Sequence, residues 1–385
     1  MLVFIAIALT IYGLVNVYVA RRGSQALAAA PLARTIFLVF YIVLAVSYPA
    51  GRILRGLTEN GLTVWLDNVG AFHMVIMFYG LLGVILVDVV RLANAFVPFL
   101  PRAGTAHPGR TGIVLFAVVS AGTALTIIWG AWNAARPHLV DLEVHLPRRA
   151  GTVERMTAVL VSDVHLGTLV GSARLRPVVE KINAFGPDVV FMTGDIVDES
   201  ISPKQQARLS AVMGRLRTGR GPFVVPGNHE TYAGLEPILA CYRACGLTVL
   251  QDQAARVADA FVLVGRRDPS SLKKGEERLG IREILDRAGF DDGLPVILLD
   301  HQPAHLAEAE AAGVSLQLSG HTHAGQIFPL DLINRLVWEL NWGYLKKGGT
   351  QYYVTSGVGT WGPPVRTAGW PEIVRLKLVF DGPIP

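Results

Sequence analysis

Four long stretches without a charged residue occupy the first third of the chain and constrain its fold more than any other feature. They run from Met1 to Ala20, from Thr35 to Gly51, from Asn68 to Val87 and from Thr111 to Ala135. A helix needs about 20 mostly apolar residues to cross a membrane, and somewhat shorter stretches also suffice. The sequence therefore predicts an all-α membrane region of about four spanning helices over residues 1–135, with the lipid bilayer as a partner.

The basic residues of the chain are concentrated in this membrane region. Residues 1–140 hold 9 arginines against 3 acidic residues, whereas residues 141–385 hold 26 basic against 27 acidic residues. A near-neutral second part argues against a nucleic-acid partner, which would require a basic binding domain. The arginines at the joints between the apolar stretches slightly favour termini outside the cytoplasm. We expect an integral, multi-pass protein of the inner cell membrane whose second part is extracytoplasmic.

Two ionisable residues lie in or at the edge of the third apolar stretch. Ionisable groups inside a membrane are candidates for function. His73 is such a candidate. Asp88 is close to Arg91 in the sequence, so we interpret it as an interfacial residue beside that arginine.

The pattern changes after a predicted linker over residues 136–155, which contains Pro137 and Pro147. Short β-branched runs such as TAVLVSD, DVVFMTGD and PVILLDHQ alternate with polar, helix-like segments. Continuous apolar strands of this kind are buried on both faces, as in sheets covered by helices. Residues 156–385 are therefore predicted to form an α/β domain.

Polar residues follow nearly every predicted strand of this domain. Because strand ends meet at one edge of an open α/β sheet, ligand sites form there. The segment LSGHTHAGQ also places two histidines one residue apart, where an extended backbone puts both side chains on one face. In chain order the strand ends read Asp163-x-His165, Gly194-Asp195, Gly227-Asn228-His229-Glu230, His301 and Gly320-His321-x-His323.

This series resembles the signature DxH, GD, GNH(D/E), H and GHxH of the calcineurin-like metallophosphoesterases, in the same order. The resemblance covers roughly Met156 to Leu378, and it implies a two-sheet β core flanked by helices. The later segment TSGVGTWGPPVRTAGWPEI is typical of a membrane-associated bacterial branch. That branch is similar to the UDP-diacylglucosamine pyrophosphatases, which act on lipid A precursors.

The resemblance implies two divalent metal ions, which together can clamp the attacking and leaving oxygens of a phosphoester. Mn²⁺ is the expected metal. Fe, Zn and Mg are alternatives, because ligand type does not choose among these metals. A hydroxide between the metals would be the nucleophile. By resemblance, the first metal takes Asp163, His165, Asp195 and His323, and the second takes Asp195, Asn228, His301 and His321.

Two further residues are implied to be catalytic. His229 is not a metal ligand of the family and would protonate the leaving oxygen. Its imidazolium needs an anionic partner beside two cations, and Asp198 matches the family position; a solvated loop acid is the alternative. Glu199 stands where phosphoprotein phosphatases carry an arginine that grips phosphate, which makes a phosphoprotein substrate less expected.

The segment PLDLINRLVWELNWGYLKK, Pro329–Lys347, carries an apolar stripe at helical spacing. The stripe would pack on the domain core, or it would lie on the bilayer and guide the acyl chains of a substrate. In the second case Trp338 and Trp342 would bind substrate, because amphipathic aromatic residues favour the membrane interface. The stripe consists of Leu332, Ile333, Leu336, Val337 and Leu340.

The favoured function is a membrane-anchored hydrolase of phosphoric ester or anhydride bonds in a lipid-linked or nucleotide-linked small molecule. One alternative is a phosphodiesterase for soluble nucleotides, with the spans serving only as an anchor. A second alternative is a membrane transporter or sensor with a silent phosphoesterase-like domain. A silent domain would show gaps in the ligand series, and here the series is complete.

Overall fold

A computed structural model describes residues 2–58, 60–97, 108–147, 153–167, 171–198, 202–273, 275–290 and 293–382. The chain divides into two compact units, Met1–Ala131 and Trp132–Pro385.

The first unit consists of long apolar helices. All four are long and apolar enough to cross a membrane, and each contains most of one of the uncharged stretches. This confirms the predicted helical region. The helices are α1 (Leu2–Ala26), α2 (Pro31–Leu57), α3 (Gly61–Phe96) and α4 (Pro108–Ala134).

Helices α2 and α3 pack closely against each other. Asn60 caps α3 by accepting the backbone N–H groups of Leu62 and Thr63, which satisfies donors that a helix start leaves unpaired. Further along, a Cβ at Gly70 would overlap the backbone of Tyr48. Small residues let membrane helices approach this closely, so Gly70 sets the α2–α3 contact.

Two of the ionisable side chains in this unit have polar partners. His73 is fully buried, and its Nε2 lies 2.8 Å from the Asn16 side-chain oxygen. Asp88 lies 3.9 Å from Arg91 but accepts a shorter hydrogen bond, 2.8 Å, from Nε of Arg22. Tyr18 also donates to Asp88. The principal partner of Asp88 is therefore Arg22 on α1, which the sequence interpretation did not include.

The second unit contains two six-stranded sheets. The first has the order β1-β12-β2-β3-β4-β5 and the second β10-β11-β9-β8-β7-β6. Within them, β2 to β5 are parallel, as are β7, β8, β9 and β11. The strands are β1 (His138–Pro147), β2 (Arg155–Val161), β3 (Val189–Met192), β4 (Arg220–Val224), β5 (Thr248–Val249), β6 (Gln253–Val257), β7 (Phe261–Gly265), β8 (Val296–Leu299), β9 (Leu316–Ser319), β10 (Gly343–Lys347), β11 (Thr350–Val354) and β12 (Glu372–Gly382).

Helices cover the outer faces of both sheets. Residues from both sheets, such as Phe191 and Phe261, form one apolar core between them. Two further cores lie under the helices on either side, as expected for strands buried on both faces. The predicted two-sheet α/β fold is confirmed. The helices are α5 (Ser172–Ala184), α6 (Pro203–Met213), α7 (Asn228–Ala244), α8 (Ile281–Ala288), α9 (Leu306–Ala311) and α10 (Leu330–Val337).

The segment predicted as a linker, 136–155, differs from that expectation. Residues 138–147 form strand β1, which pairs in parallel with β12 along its length. The side chains of Val144 and Leu146 are fully buried in the core between the sheets. An edge strand with one apolar face belongs to the sheet and not to a flexible connection.

Candidate metal centre

The seven predicted ligands all lie just after strands of the two sheets, at the place where these strands end. Asp163 and His165 follow β2, Asp195 follows β3, Asn228 follows β4, and the remaining three follow β8 and β9. Five of the seven have positive backbone φ between 50° and 71°, a conformation that side-chain-bearing residues rarely adopt. Such strain concentrates where structure holds functional groups in place. The five are Asp163, His165, Asp195, His321 and His323.

One group of donors surrounds the ring nitrogens of two histidines. Nε2 of His165 and Nε2 of His323 lie 2.9 Å apart. Oδ1 of Asp163 is 3.5 Å from the His323 nitrogen, and Oδ2 of Asp195 is 3.9 Å from the His165 nitrogen. These four residues are the set that the resemblance implies for the first metal.

A second group lies on the other side of Asp195. Oδ2 of Asp195 is 3.0 Å from Nε2 of His301, which is 3.2 Å from Oδ1 of Asn228. The same Asn228 oxygen is 2.8 Å from Nδ1 of His321. Asp195 thus belongs to both groups. The donor atoms of Asp163, His165 and His323 converge closely enough to hold one metal ion, and so do those of Asp195, His301 and His321. Asp195 also converges with His165 and His229.

The chemistry of these donors fits divalent metal ions. The set contains only imidazole nitrogens and carboxylate or amide oxygens, which suit Mn, Fe, Zn or Mg. Burial, together with the positive charge on His301, lowers the pKa of His321 to about 4. Burial and neighbouring cations lower the pKa of His323 well below its usual value. Both imidazoles are therefore neutral, which is the form that binds metal.

Asp195 is ionised despite its burial. Burial alone would raise its pKa, but the charge and the hydrogen bond of His301 outweigh burial and lower it. The ring of His301 is oriented from behind, because its Nδ1–H donates to the carbonyl of Thr193 at 2.6 Å. Burial alone would lower the pKa of His301, but the charge and hydrogen bond of Asp195 raise it well above its usual value, so without a metal Nε2 carries a proton. A metal ion at Nε2 would replace that proton, and the bond to Thr193 would then fix the tautomer of the ring.

Gly227 allows the two loops of the second group to meet. A Cβ at this position would overlap Oδ1 of Asp195 and crowd the His301 ring. Any other residue would push Asn228 and Asp195 apart, so the glycine of the GNHE motif is a packing requirement.

Asp198 joins the two histidines on the outer side of the site. Its Oδ1 lies 3.0 Å from Nδ1 of His229 and 3.1 Å from Nδ1 of His165. Burial alone would lower the pKa of His229, but the hydrogen bond to Asp198 and the charge of Asp195 raise it to about 9. His229 is thus held as a cation that can donate a proton. Asp198 has the contact expected of its partner, and it also contacts a metal-ligand candidate, which the sequence did not indicate.

Glu230 is a residue of the site whose role sequence reasoning missed. It is fully buried, and its carboxylate accepts the backbone N–H groups of Asp195, Ile196, Val197 and Gly227. The Tyr242 hydroxyl donates to it as well, at 2.6 Å. Glu230 therefore ties the loop after β3 to the loop after β4. Its position inside the GNHE motif is the only signal that could have identified it.

Arg366 is a second residue of the site whose role the sequence did not indicate. Its side chain is fully buried, and its guanidinium lies 3.3 Å from both the carbonyl oxygen and Nδ1 of His323. It also donates to the carbonyl groups of Ser356 and Gly359. These contacts hold the His323 loop against the tail of the domain. An arginine in the sequence carries no mark of burial, so no signal indicated this role.

Most of the apolar stripe in Pro329–Lys347 lies on helix α10. Its side chains are more exposed than those of a helix packed on a core. The side chains of Leu332, Ile333, Leu336 and Val337 are 51%, 59%, 87% and 67% exposed. Only Leu340, beyond the helix, packs on the domain core. The alternative of a stripe packed on the core is therefore wrong for these four residues.

The two tryptophans of this segment have different surroundings. The Trp338 ring packs edge-on against the candidate ligand His321, with centroids 5.3 Å apart. The Trp342 indole instead donates to Glu372 at 3.2 Å and packs against Trp370. The structure brings Trp338 to the metal centre and does not bring Trp342 there. Glu199 lies outside the described residues.

Comparisons with known proteins identify a family for the chain. Residues 156–325 match the family model for calcineurin-like phosphoesterases. An uncharacterized metallophosphoesterase of Helicobacter pylori is 30% identical over 389 residues, covering 98% of this chain and 99% of the relative. A transmembrane protein with a metallophosphoesterase domain from Danio rerio is 33% identical over 66% of this chain and 61% of its own length. The solved 5'-nucleotidase precursor of Thermus thermophilus is 18% identical, with a TM-score of 0.39 over 59% of this chain and 54% of that one.

Proposed function

This chain belongs to the calcineurin-like metallophosphoesterase family, and from that premise we propose that it is a membrane-anchored, dinuclear-metal phosphoesterase or pyrophosphatase. The observation that carries the proposal is the pair of nitrogen–oxygen ligand groups that share Asp195. When bound, two metal ions neutralise phosphate charge and lower the pKa of water.

The remaining residues act around that centre. His229, held protonated by Asp198, would donate its proton to the leaving oxygen of the substrate. Tyr232 and Trp361 pack near the His229 ring, and both are mostly exposed. Together with Trp338 they offer aromatic surface to the part of the substrate next to the phosphate. The substrate-binding role of Trp342 stays a prediction with no contact at the centre to support it.

We infer a lipid-linked substrate from helix α10. Monomeric soluble proteins rarely expose a contiguous apolar patch of this kind, and such patches mark membrane or ligand contacts. Four exposed aliphatic side chains lie on the helix that directly precedes Trp338. These side chains would contact acyl chains while the phosphate reaches the metals. The same exposure gives no advantage to a soluble nucleotide.

The test is a substrate panel on the full-length protein in lipid nanodiscs. Bis-p-nitrophenyl phosphate, UDP-diacylglucosamine and a phosphopeptide are compared with Mn²⁺, Mg²⁺ or Zn²⁺. The variant Leu336→Ser/Val337→Ser should lose at least about tenfold in kcat/KM for the lipid substrate, since burying one such side chain contributes about 1.5–3 kcal/mol. Its rate on bis-p-nitrophenyl phosphate should not change.

The matched control is Leu139→Ser, because Leu139 is 52% exposed on the edge strand β1. Equal losses for both variants, or equal rates on lipid and soluble substrates, would remove the lipid assignment. No turnover of any substrate with any of the metals would favour the silent-domain alternative. We also propose that the catalytic domain is extracytoplasmic. Cysteine labelling in intact cells tests on which side of the membrane this domain lies.

A further inference from the structure

The membrane unit contains a long cavity between its helices. The cavity has a volume of about 600 Å³, within the usual range of ligand pockets. All four helices contribute to its wall, which is mainly aliphatic and aromatic. Along α4 the lining runs from Gly112 to Ile128, which at the helical rise corresponds to roughly 24 Å. Six of the apolar wall residues are Val19, Phe37, Ile76, Val84, Leu115 and Ile127.

The cavity is accessible from the surface that a bilayer would cover. Ile128 lines it and is 65% exposed. An apolar space that opens toward lipid favours hydrocarbon chains over water, because only a few hydroxyl groups, those of Tyr41, Ser120 and Thr123, interrupt the aliphatic and aromatic wall. The wall alone therefore predicts a ligand with a long apolar part.

The other end of the cavity is positively charged. Arg22, Asp88 and Arg91 line it together. Asp88 is paired with Arg22 through the 2.8 Å hydrogen bond, whereas Arg91 is 3.9 Å from Asp88 and 52% exposed. One carboxylate thus neutralises one of two guanidinium groups. Arg21, Arg34 and Arg110 lie within the same helix ends, so the excess charge at this end is positive.

We propose that this cavity binds one anionic phospholipid, with its acyl chain along the apolar wall and its phosphate at Arg91, beside the Arg22–Asp88 pair. Arginine suits this role because its planar group binds phosphate oxygens in pairs. Basic residues at the ends of membrane helices attract anionic lipid head groups. This site is separate from the metal centre and goes beyond the proposed hydrolase activity.

The experiment uses the full-length protein, purified in detergent and freed of lipid. Native mass spectrometry then measures binding of added phosphatidylglycerol, with phosphatidylcholine as the uncharged comparison. The filling variant is Gly80→Leu, since Gly80 lines the cavity and its Cβ would meet only Val19, at 3.6 Å. The matched control is Gly122→Leu, where nothing lies within 4 Å. Arg91→Gln tests the charge without filling the cavity.

We expect the parent and Gly122→Leu to bind one phosphatidylglycerol, and Gly80→Leu to bind at least tenfold more weakly. Arg91→Gln should keep its fold and lose the preference for phosphatidylglycerol over phosphatidylcholine. All variants should keep hydrolysis of bis-p-nitrophenyl phosphate, which separates this site from the metal centre. Equal binding by the parent and Gly80→Leu, or an unchanged head-group preference in Arg91→Gln, would overturn the proposal.

Discussion

The carboxylate of Glu230 gives the sharpest prediction about how the site is held together. In Glu230→Gln an NH₂ group replaces one of two acceptor oxygens of the same shape. Oε1 accepts Ile196, Val197 and Tyr242, and Oε2 accepts Asp195 and Gly227. Whichever oxygen is replaced, two backbone N–H groups lose their acceptor.

The magnitude follows from the cost of each unpaired donor. A buried donor without an acceptor costs about 1–3 kcal/mol, so two should lower the free energy of unfolding by about 2–6 kcal/mol. That is a large part of the roughly 5–15 kcal/mol that stabilises a typical protein. Tyr242→Phe removes only one hydroxyl and should cost about 1 kcal/mol. Because either pair of released N–H groups includes Asp195 or the residue that follows it, Ile196, Glu230→Gln should also weaken metal binding in both groups.

The assay is urea unfolding of the full-length protein in detergent, followed by tryptophan fluorescence. It is run with a chelator, because a metal bound only to the folded state adds stability of its own. Metal content is measured separately by mass spectrometry. A Glu230→Gln protein within about 0.5 kcal/mol of the parent, a change typical of a neutral surface position, would refute the reasoning. Normal metal content in a strongly destabilised variant would also refute the reasoning, because the hydrogen bonds of Glu230 would then stabilise the fold without holding the metal ligands in place.

Three further predictions concern the metal centre itself. Asp195→Asn should lose metal from both groups, whereas Asn228→Ala should lose it from one; retention of both metals by Asp195→Asn would contradict the shared ligand. His229→Ala should keep its metals but lose about 10²–10⁴-fold in rate, with a smaller loss for nitrophenyl than for alkyl esters. Equal losses for the two ester types would instead make His229 a ligand or a phosphate clamp. Asp198→Asn should lower the pKa of His229 from its raised value near 9, so the basic limb of the pH–rate profile should move to lower pH; an unmoved limb would leave Asp198 without this role.

The positions of the candidate ligands could be predicted because each follows a strand whose last three residues are buried. All four residues of β3 and of β9 are buried, so the first polar residues after them are at the sheet edge. Their order along the chain then identified the family. The positive φ angles at five of these residues could not be predicted from the sequence, since they depend on strain that the surrounding structure imposes.

The structural features that the sequence did not predict depend on contacts between residues far apart in the chain. Strand β1 pairs with β12 across more than two hundred residues, from His138 beside Glu372 onward, and no local pattern identifies such a partner. The same holds for Arg366, whose burial depends on the His323 loop reaching it from another part of the fold. Local periodicity reports which face of an element is apolar, but not which element will meet that face.

Helix α10 shows that a clear apolar periodicity does not decide which face of a helix packs on the domain. An apolar stripe normally faces the core, but here the polar side of the helix is attached to the domain. Asp331 is buried and Gly325 lies against its backbone, while Asn334 donates to the carbonyl of Thr322, next to His323. These contacts anchor the helix to the loop of the final metal motif and leave Leu336 and Val337 exposed. Their exposure thus follows from the attachment of the helix to the site. An apolar surface fixed in this way to a metal-binding loop is what a phosphoesterase with an acylated substrate would need.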